Sequence, residues 1–316
     1  MNALQDYLLG EMIEEYQDGR MSGRELLRQA EAIAGSAAAA LVELEKAHLS
    51  VAELWVRDEA PVPPRNEVSR APEGVTISPD DPEISASPID YQGEAGTMLA
   101  YIARPRALGR YPGVIVIHEN RGLVPHIRDV ARRVAKAGYV ALAPDLVSRV
   151  GGTDKFPDPA DFRGALSSIS PEAFMADLSA SLDHLKSMPF VQNDRLGCVG
   201  FCFGGGLTWR FSTKRPDLRA AVPFYGPAPA LEDVPNIKAA MLGIYGGLDE
   251  RINAGIPALE ETMKTAGIRY EIVVYPGAAH AFHNDTGANY HPEAAREAWA
   301  RTLAHFATHL KGTTVG

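Results

Sequence analysis

Gly200-Phe201-Cys202-Phe203-Gly204, flanked by Leu196-Gly197-Cys198-Val199 and by Gly205-Gly206-Leu207-Thr208-Trp209-Arg210-Phe211, decides how this chain of 316 residues is read. The apolar run before the pentapeptide is a buried strand, and the run after it starts a helix. The five residues between them fit G-x-nucleophile-x-G on a strand–turn–helix. A turn that tight leaves no room for side chains on its flanks, hence Gly200 and Gly204. The following helix aims its free first N–H groups and the positive end of its dipole at the reacting centre. The displayed residue is a cysteine where serine is commoner. The plain alternative is a glycine-rich turn with a buried cysteine, and partners elsewhere in the chain decide between the two.

Composition removes several function classes. The chain is 46% hydrophobic and 22% charged with a net charge of −9, an ordinary globular balance that argues against nucleic acid or an anionic membrane surface as main partner. No apolar run approaches the roughly 18 residues of a membrane span. The two cysteines, Cys198 and Cys202, are four residues apart. Along an extended strand that is roughly 13 Å, beyond disulfide reach, and the spacing is not C-x-x-C. A reducing, cytoplasmic setting is expected. The alternative is export, because Gly19-Arg20-Met21-Ser22-Gly23-Arg24-Glu25-Leu26-Leu27 is a degenerate twin-arginine-like stretch. The same stretch also offers Ser22-Gly23-Arg24-Glu25 as a helix capping box.

Three segments follow. Residues 1–55 form an N-terminal helical extension, with helical spacing over 3–17 (Tyr7, Leu8, Met12, Ile13, Tyr16) and 22–49 (Leu26, Leu27, Ile33, Leu41, Leu44). Residues 56–83 are a proline-rich linker. Residues 84–316 alternate strands and helices: an opening hairpin at Ile84–Tyr91 and Thr97–Ala103, then strands near 113–118, 140–144, 196–200, 220–225, 240–245 and 270–275. The alternation predicts an α/β fold, a mostly parallel sheet with helices on both faces. The apolar faces of the extension need a surface to dock on. They pack on the main domain, pair two chains as a homodimer, or fold over the strand ends as a lid.

In such a sheet reacting groups gather at the carboxyl ends of strands. Glu119, Asp145, Asp249 and His280 stand there. A thiol needs a base to become a thiolate. His280 is placed to be that base, and Asp249 to orient it, in the chain order Cys202, Asp249, His280. Glu250, beside Arg251, reads as a surface pair, and Asp145 as a turn cap. His48, His126, His184, His291, His305 and His309 read as solvated or capping residues. His280 and His283 lack a third ligand of suitable spacing, so no metal is expected.

With these residues assembled, the chain resembles the dienelactone hydrolase (carboxymethylenebutenolidase) family, cysteine members of the α/β-hydrolase fold. The resemblance covers about residues 84–312. It is carried by His118-Glu119-Asn120-Arg121-Gly122, Pro144-Asp145-Leu146, the Gly200–Gly205 turn, Gly246-Gly247-Leu248-Asp249 and Gly277-Ala278-Ala279-His280-Ala281-Phe282. It implies a cofactor-independent hydrolase of small ester or lactone substrates through an acyl-Cys202 intermediate. It further implies a glutamate at Glu119 that touches the resting thiol and an oxyanion hole on the backbone N–H groups of Asn120 and Phe203. Such donors are worth about 3–4 kcal/mol each. Two departures bear on substrate. The family arginine four residues after the catalytic histidine is Asn284 here, and Arg121 is a new cation beside Glu119. Both are candidate substrate contacts. Neither Arg149 nor Arg163 aligns securely with a second family arginine. A non-catalytic small-ligand binder and a peptidase or acyltransferase on the same scaffold are the competing functions.

Overall fold

The computed structural model describes residues 1–50, Leu54 and 76–311. Most of the expected 56–83 linker lies outside the described residues. Eight strands form one sheet: β1 (Ile84–Gly93), β2 (Gly96–Pro105), β3 (Tyr111–Ile117), β4 (Val140–Pro144), β5 (Val191–Phe201), β6 (Leu218–Phe224), β7 (Ala240–Gly246) and β8 (Tyr270–Tyr275). Their order is β1-β2-β4-β3-β5-β6-β7-β8. β1 and β2 are the expected hairpin, in register from Ile84 opposite Pro105 to Gly93 opposite Gly96. β2 meets β4 antiparallel, and from β4 to β8 every pairing is parallel. The central β3 carries Val114, Ile115, Val116 and Ile117 without any exposure, as a strand covered on both faces requires.

The helices that cover the sheet or cap its strand ends include α4 (Pro125–Lys136), α5 (Pro159–Ser167), α6 (Pro171–Ser187), α7 (Phe203–Lys214), α8 (Glu250–Asn253), α9 (Ile256–Thr265) and α10 (Pro292–Phe306). Before them come α1 (Ala3–Gln17), α2 (Gly23–Ala34) and α3 (Ala37–Lys46). The single helix expected over 22–49 is thus two. Gly35 ends α2 in the left-handed conformation (φ +82°), and the Ser36 hydroxyl accepts from Ala39 N at 3.2 Å to start α3, a stop signal followed at once by a start signal. Ser22 caps α2 by accepting from Glu25 N at 3.1 Å.

The extension docks on its own chain. Leu8, Met12 and Leu26 are fully buried and belong to one continuous apolar core with the sheet. The Gln5 amide donates to Ile33 O at 2.9 Å and ties α1 to α2. Arg28 pairs with Asp158, the N-cap of α5, at 2.9 Å.

Candidate active site

Cys202 stands between β5 and α7 with φ +57° and ψ −118°, a conformation that costs roughly 1–3 kcal/mol and persists only where the surroundings enforce it. The enforcement is visible. A Cβ on Gly200 would lie 2.1 Å from Gly204 O, and one on Gly204 would lie 2.5 Å from the carbonyl oxygens of Ile117 and His118. The Cys202 N–H donates to Phe224 O at 3.1 Å, pinning the turn to β6. Neither the Asn120 nor the Phe203 N–H has an acceptor among the described residues. Both donors expected of an oxyanion hole are therefore unspent.

After β7, Asp249 caps α8 by accepting from Ile252 N at 3.4 Å. Its other oxygen takes a 2.5 Å hydrogen bond from His280 Nδ1. That bond fixes the tautomer and leaves Nε2 toward the sulfur: a ring nitrogen of His280 lies within 4.8 Å of Cys202 Sγ. Glu250 is exposed and takes no part. His118 is structural. Its Nε2 accepts from Leu146 N at 3.1 Å, so Nδ1 carries the proton that it donates to Glu119 O at 2.6 Å. Asp145 braces its own loop, accepting from Thr153 N at 2.7 Å and Thr153 Oγ1 at 2.9 Å.

Several placements depart from expectation. Asn284 is buried and its amide donates to Glu119 Oε2 at 2.7 Å, so it positions Glu119 and does not face a substrate. Tyr225 OH donates to the other Glu119 oxygen at 3.4 Å. Both Glu119 oxygens are thereby engaged, and the contact with the resting thiol comes from another carboxylate. Arg121 is exposed and forms no ion pair among the described residues. His126 is not solvated: it is buried and its Nδ1 bonds Asp285 at 2.9 Å, while Arg133 holds the second Asp285 oxygen. His283 lies beside His126, with ring centroids 6.1 Å apart, and forms no pair with His280. Arg149 is committed to Asp177 at 2.8 Å.

The group the sequence reading missed is Glu11. Cys202 Sγ donates to Glu11 Oε2 at 3.3 Å, and His280 Nε2 lies 3.2 Å from the same oxygen without hydrogen-bond alignment. Glu11 Oε1 accepts from Arg251 Nη2 at 2.6 Å, and Arg251 Nε donates to Glu14 at 2.6 Å. Tyr7 OH, one helical turn before Glu11, stands 3.3 Å from the sulfur. Helix α1 thus covers the site, and Cys202 is 3% exposed. One signal was present in the sequence: Glu11 lies in the apolar stripe of α1 between Leu8 and Met12, where a carboxylate needs a partner.

The charges are coupled. Burial pushes the Cys202 thiol up to about 11, the Glu11 charge adds to that, and His280 opposes it. Burial alone would lower His280, but the Glu11 charge and the bond to Asp249 raise it well above its ordinary value. Burial would raise Glu11, yet His280 and Arg251 hold it down at about 2. With α1 docked, burial and Glu11 favour the neutral thiol, while Glu11 and Asp249 favour the charged imidazole. Glu11, Cys202 and His280 also offer one donor atom each within 4.8 Å of one another, the one such trio among the described residues. Arg251 already neutralises Glu11 and Asp249 holds His280, so the trio is satisfied by protons and an arginine.

The profile of the dienelactone hydrolase family matches residues 98–310. A Salmonella typhimurium protein provisionally named carboxymethylenebutenolidase is 36% identical over 247 residues, 73% of this chain and 90% of its own. A Methylorubrum extorquens protein with the same provisional name is 35% identical over 238 residues, 72% of this chain and 82% of its own. The solved structure of a Klebsiella pneumoniae protein, provisionally described as a dienelactone hydrolase, superposes with a TM-score of 0.67 at 35% identity, over 72% of this chain and 99% of that one. Helix α1 lies outside the matched profile. By profile, identity and shared fold, the chain belongs to the dienelactone hydrolase family and is a hydrolase of the α/β-hydrolase fold.

Proposed function

We propose that this ester or lactone hydrolase works through a covalent acyl-enzyme on Cys202, with His280 as base and Asp249 as its orienting acid. The observation that carries the reading is the 2.5 Å Asp249–His280 bond, which turns Nε2 toward a cysteine held on a strained turn. His280 Nε2 takes the thiol proton as sulfur attacks the carbonyl carbon, and the carbonyl π electrons move onto oxygen. The unspent N–H groups of Asn120 and Phe203 stabilise that oxyanion. Collapse expels the alcohol or enol oxygen, which takes the proton from His280. Water then attacks the thioester, gives its proton to His280, and the acid leaves as the thiol is restored. Glu119, fixed by Asn284 and Tyr225, places a negative charge near the sulfur that raises the thiol, so proton loss falls to His280. A thiolate is best matched to good leaving groups, so aryl esters and enol lactones are the favoured substrate class.

The test is turnover of aryl esters, lactones and dienelactones by the purified chain and by Cys202→Ala. Hydrolysis that disappears in the variant while its fold persists supports the reading. Hydrolysis that survives defeats it.

A further inference from the structure

The site receives groups from a helix that the family profile does not include. An acid product, at the moment it leaves, has a carboxylate oxygen between the nucleophile and the base. Glu11 Oε2 is 3.3 Å from Cys202 Sγ and 3.2 Å from His280 Nε2. We propose that helix α1 is an internal ligand of the active site, its Glu11 carboxylate standing where the acid product departs, so that turnover requires α1 to give way to substrate. The inference rests on the reading of Cys202 as nucleophile.

Three further observations show how this internal ligand is seated. First, the contact is anchored by acid–arginine pairs on both sides of α1. Arg251 holds Glu11 and Glu14 at 2.6 Å, and Arg163 of α5 faces Glu15 at 3.6 Å. Second, Gly10 lets the Arg251 guanidinium lie against the helix, since a Cβ there would be 3.3 Å from Arg251 Nε. Tyr7 supports the same guanidinium from its ring, 5.3 Å from the centroid. Third, Arg163 is 2% exposed, yet its Nε and Nη1 have no hydrogen-bond partner among the described residues. Two arginines thus lie against α1, one of them with donors unspent among the described residues. Once Glu11 moves out, the Arg251 Nη2 that it holds loses that partner. A ligand that carries a carboxylate competes for what Glu11 holds, and a neutral ligand must displace Glu11 without that help.

Alkylation of Cys202 reads this directly. The thiolate displaces iodide from iodoacetamide (neutral) or iodoacetate (anionic): an S–C bond forms, the C–I bond breaks and iodide leaves. Peptide mass spectrometry separates Cys202 from the buried Cys198. In the full chain, Glu11→Gln is expected to speed iodoacetamide labelling by about tenfold or more, since a like charge beside a thiol is removed. Arg251→Met should lower the iodoacetate-to-iodoacetamide rate ratio about fivefold relative to Glu11→Gln. A second measurement needs no variant. A carboxamidomethyl group on Cys202 fills the place of Glu11, so hydrogen exchange over residues 3–17 should rise after labelling, because an undocked helix of that length is marginal. Labelling at the wild-type rate in Glu11→Gln, or unchanged protection of α1 in the labelled chain, overturns the proposal. Turnover of an aryl ester is recorded alongside. If it survives Cys202→Ala, the nucleophile reading fails. If it depends on Cys202 while labelling ignores Glu11, the internal ligand alone fails.

Discussion

The Cys202 thiol donates a hydrogen bond to Glu11 at 3.3 Å, across 191 residues of sequence. The same Glu11 oxygen lies 3.2 Å from the base, His280. Burial and then the Glu11 charge push the thiol up, and the Glu11 charge with the Asp249 bond raises the imidazole. A charged imidazole cannot take the thiol proton, so the docked helix and the reacting enzyme are different arrangements of one site.

The two cysteines should separate function from packing. Cys202→Ala is expected to remove ester hydrolysis and keep the fold, because the side chain stands on a turn. Cys198 is fully buried in β5, so Cys198→Ala should keep activity and lose roughly 1 kcal/mol through a small cavity. Turnover and thermal unfolding of both variants check this. Equal loss of turnover in two folded variants contradicts it.

Asp249→Asn should fold and lose turnover by roughly 10³–10⁴-fold, since an amide no longer selects the Nδ1–H tautomer. Glu250→Gln, exposed at the start of α8, should turn over like the wild type. Steady-state kinetics of the pair decide between the neighbours.

Gly204→Ala should be among the most damaging single-methyl additions in the chain. Its Cβ would meet two backbone carbonyl oxygens at 2.5 Å, and backbone cannot swing aside as a side chain can. A loss of about 3 kcal/mol or more is expected from denaturant unfolding, since the added methyl is forced against backbone that cannot yield. A loss under about 1 kcal/mol contradicts the enforced turn.

The elbow was legible in the sequence because its glycines answer to local backbone sterics, and Asp249 and His280 because each follows a strand. What was not legible depends on where a distant surface lands. Arg251 reads as the partner of Glu250 in sequence, yet it turns to Glu11 and Glu14 of a helix 240 residues earlier. Asn284 stands where the family has an arginine, and only the fold shows it turned inward to Glu119. The break at Gly35-Ser36 was local and readable. The helical spacing on either side of it hid the cap.

The pH dependence of Cys202 alkylation should follow Glu11. The titratable groups facing the sulfur are Tyr7 and Glu11 of α1, His280, Glu119 and Tyr225. Burial and then the Glu11 charge raise the thiol to about 11, so Glu11→Gln should move the midpoint to lower pH. The docking of α1 has its own window. Glu11 is depressed to about 2 from an ordinary 4.5, so its contribution is full above about 4.5 and is lost as pH falls toward 2. His280 is raised from an ordinary 6.5, so its contribution is full below about 6.5 and is lost as pH rises through its folded value. The protection of residues 3–17 against hydrogen exchange, relative to an unfolded peptide at the same pH, should therefore be highest between about 4.5 and 6.5. A profile that Glu11→Gln leaves unchanged contradicts the coupling.

The most direct test of the catalytic reading is to quench the wild-type chain during turnover of an activated aryl ester and weigh its peptides. An acyl group should be found on the peptide containing Cys202, decaying at the rate at which acid appears, and it should be absent from Cys202→Ala. Hydrolysis that proceeds with no acyl group on Cys202, under conditions where deacylation is slower than acylation, would contradict the covalent route.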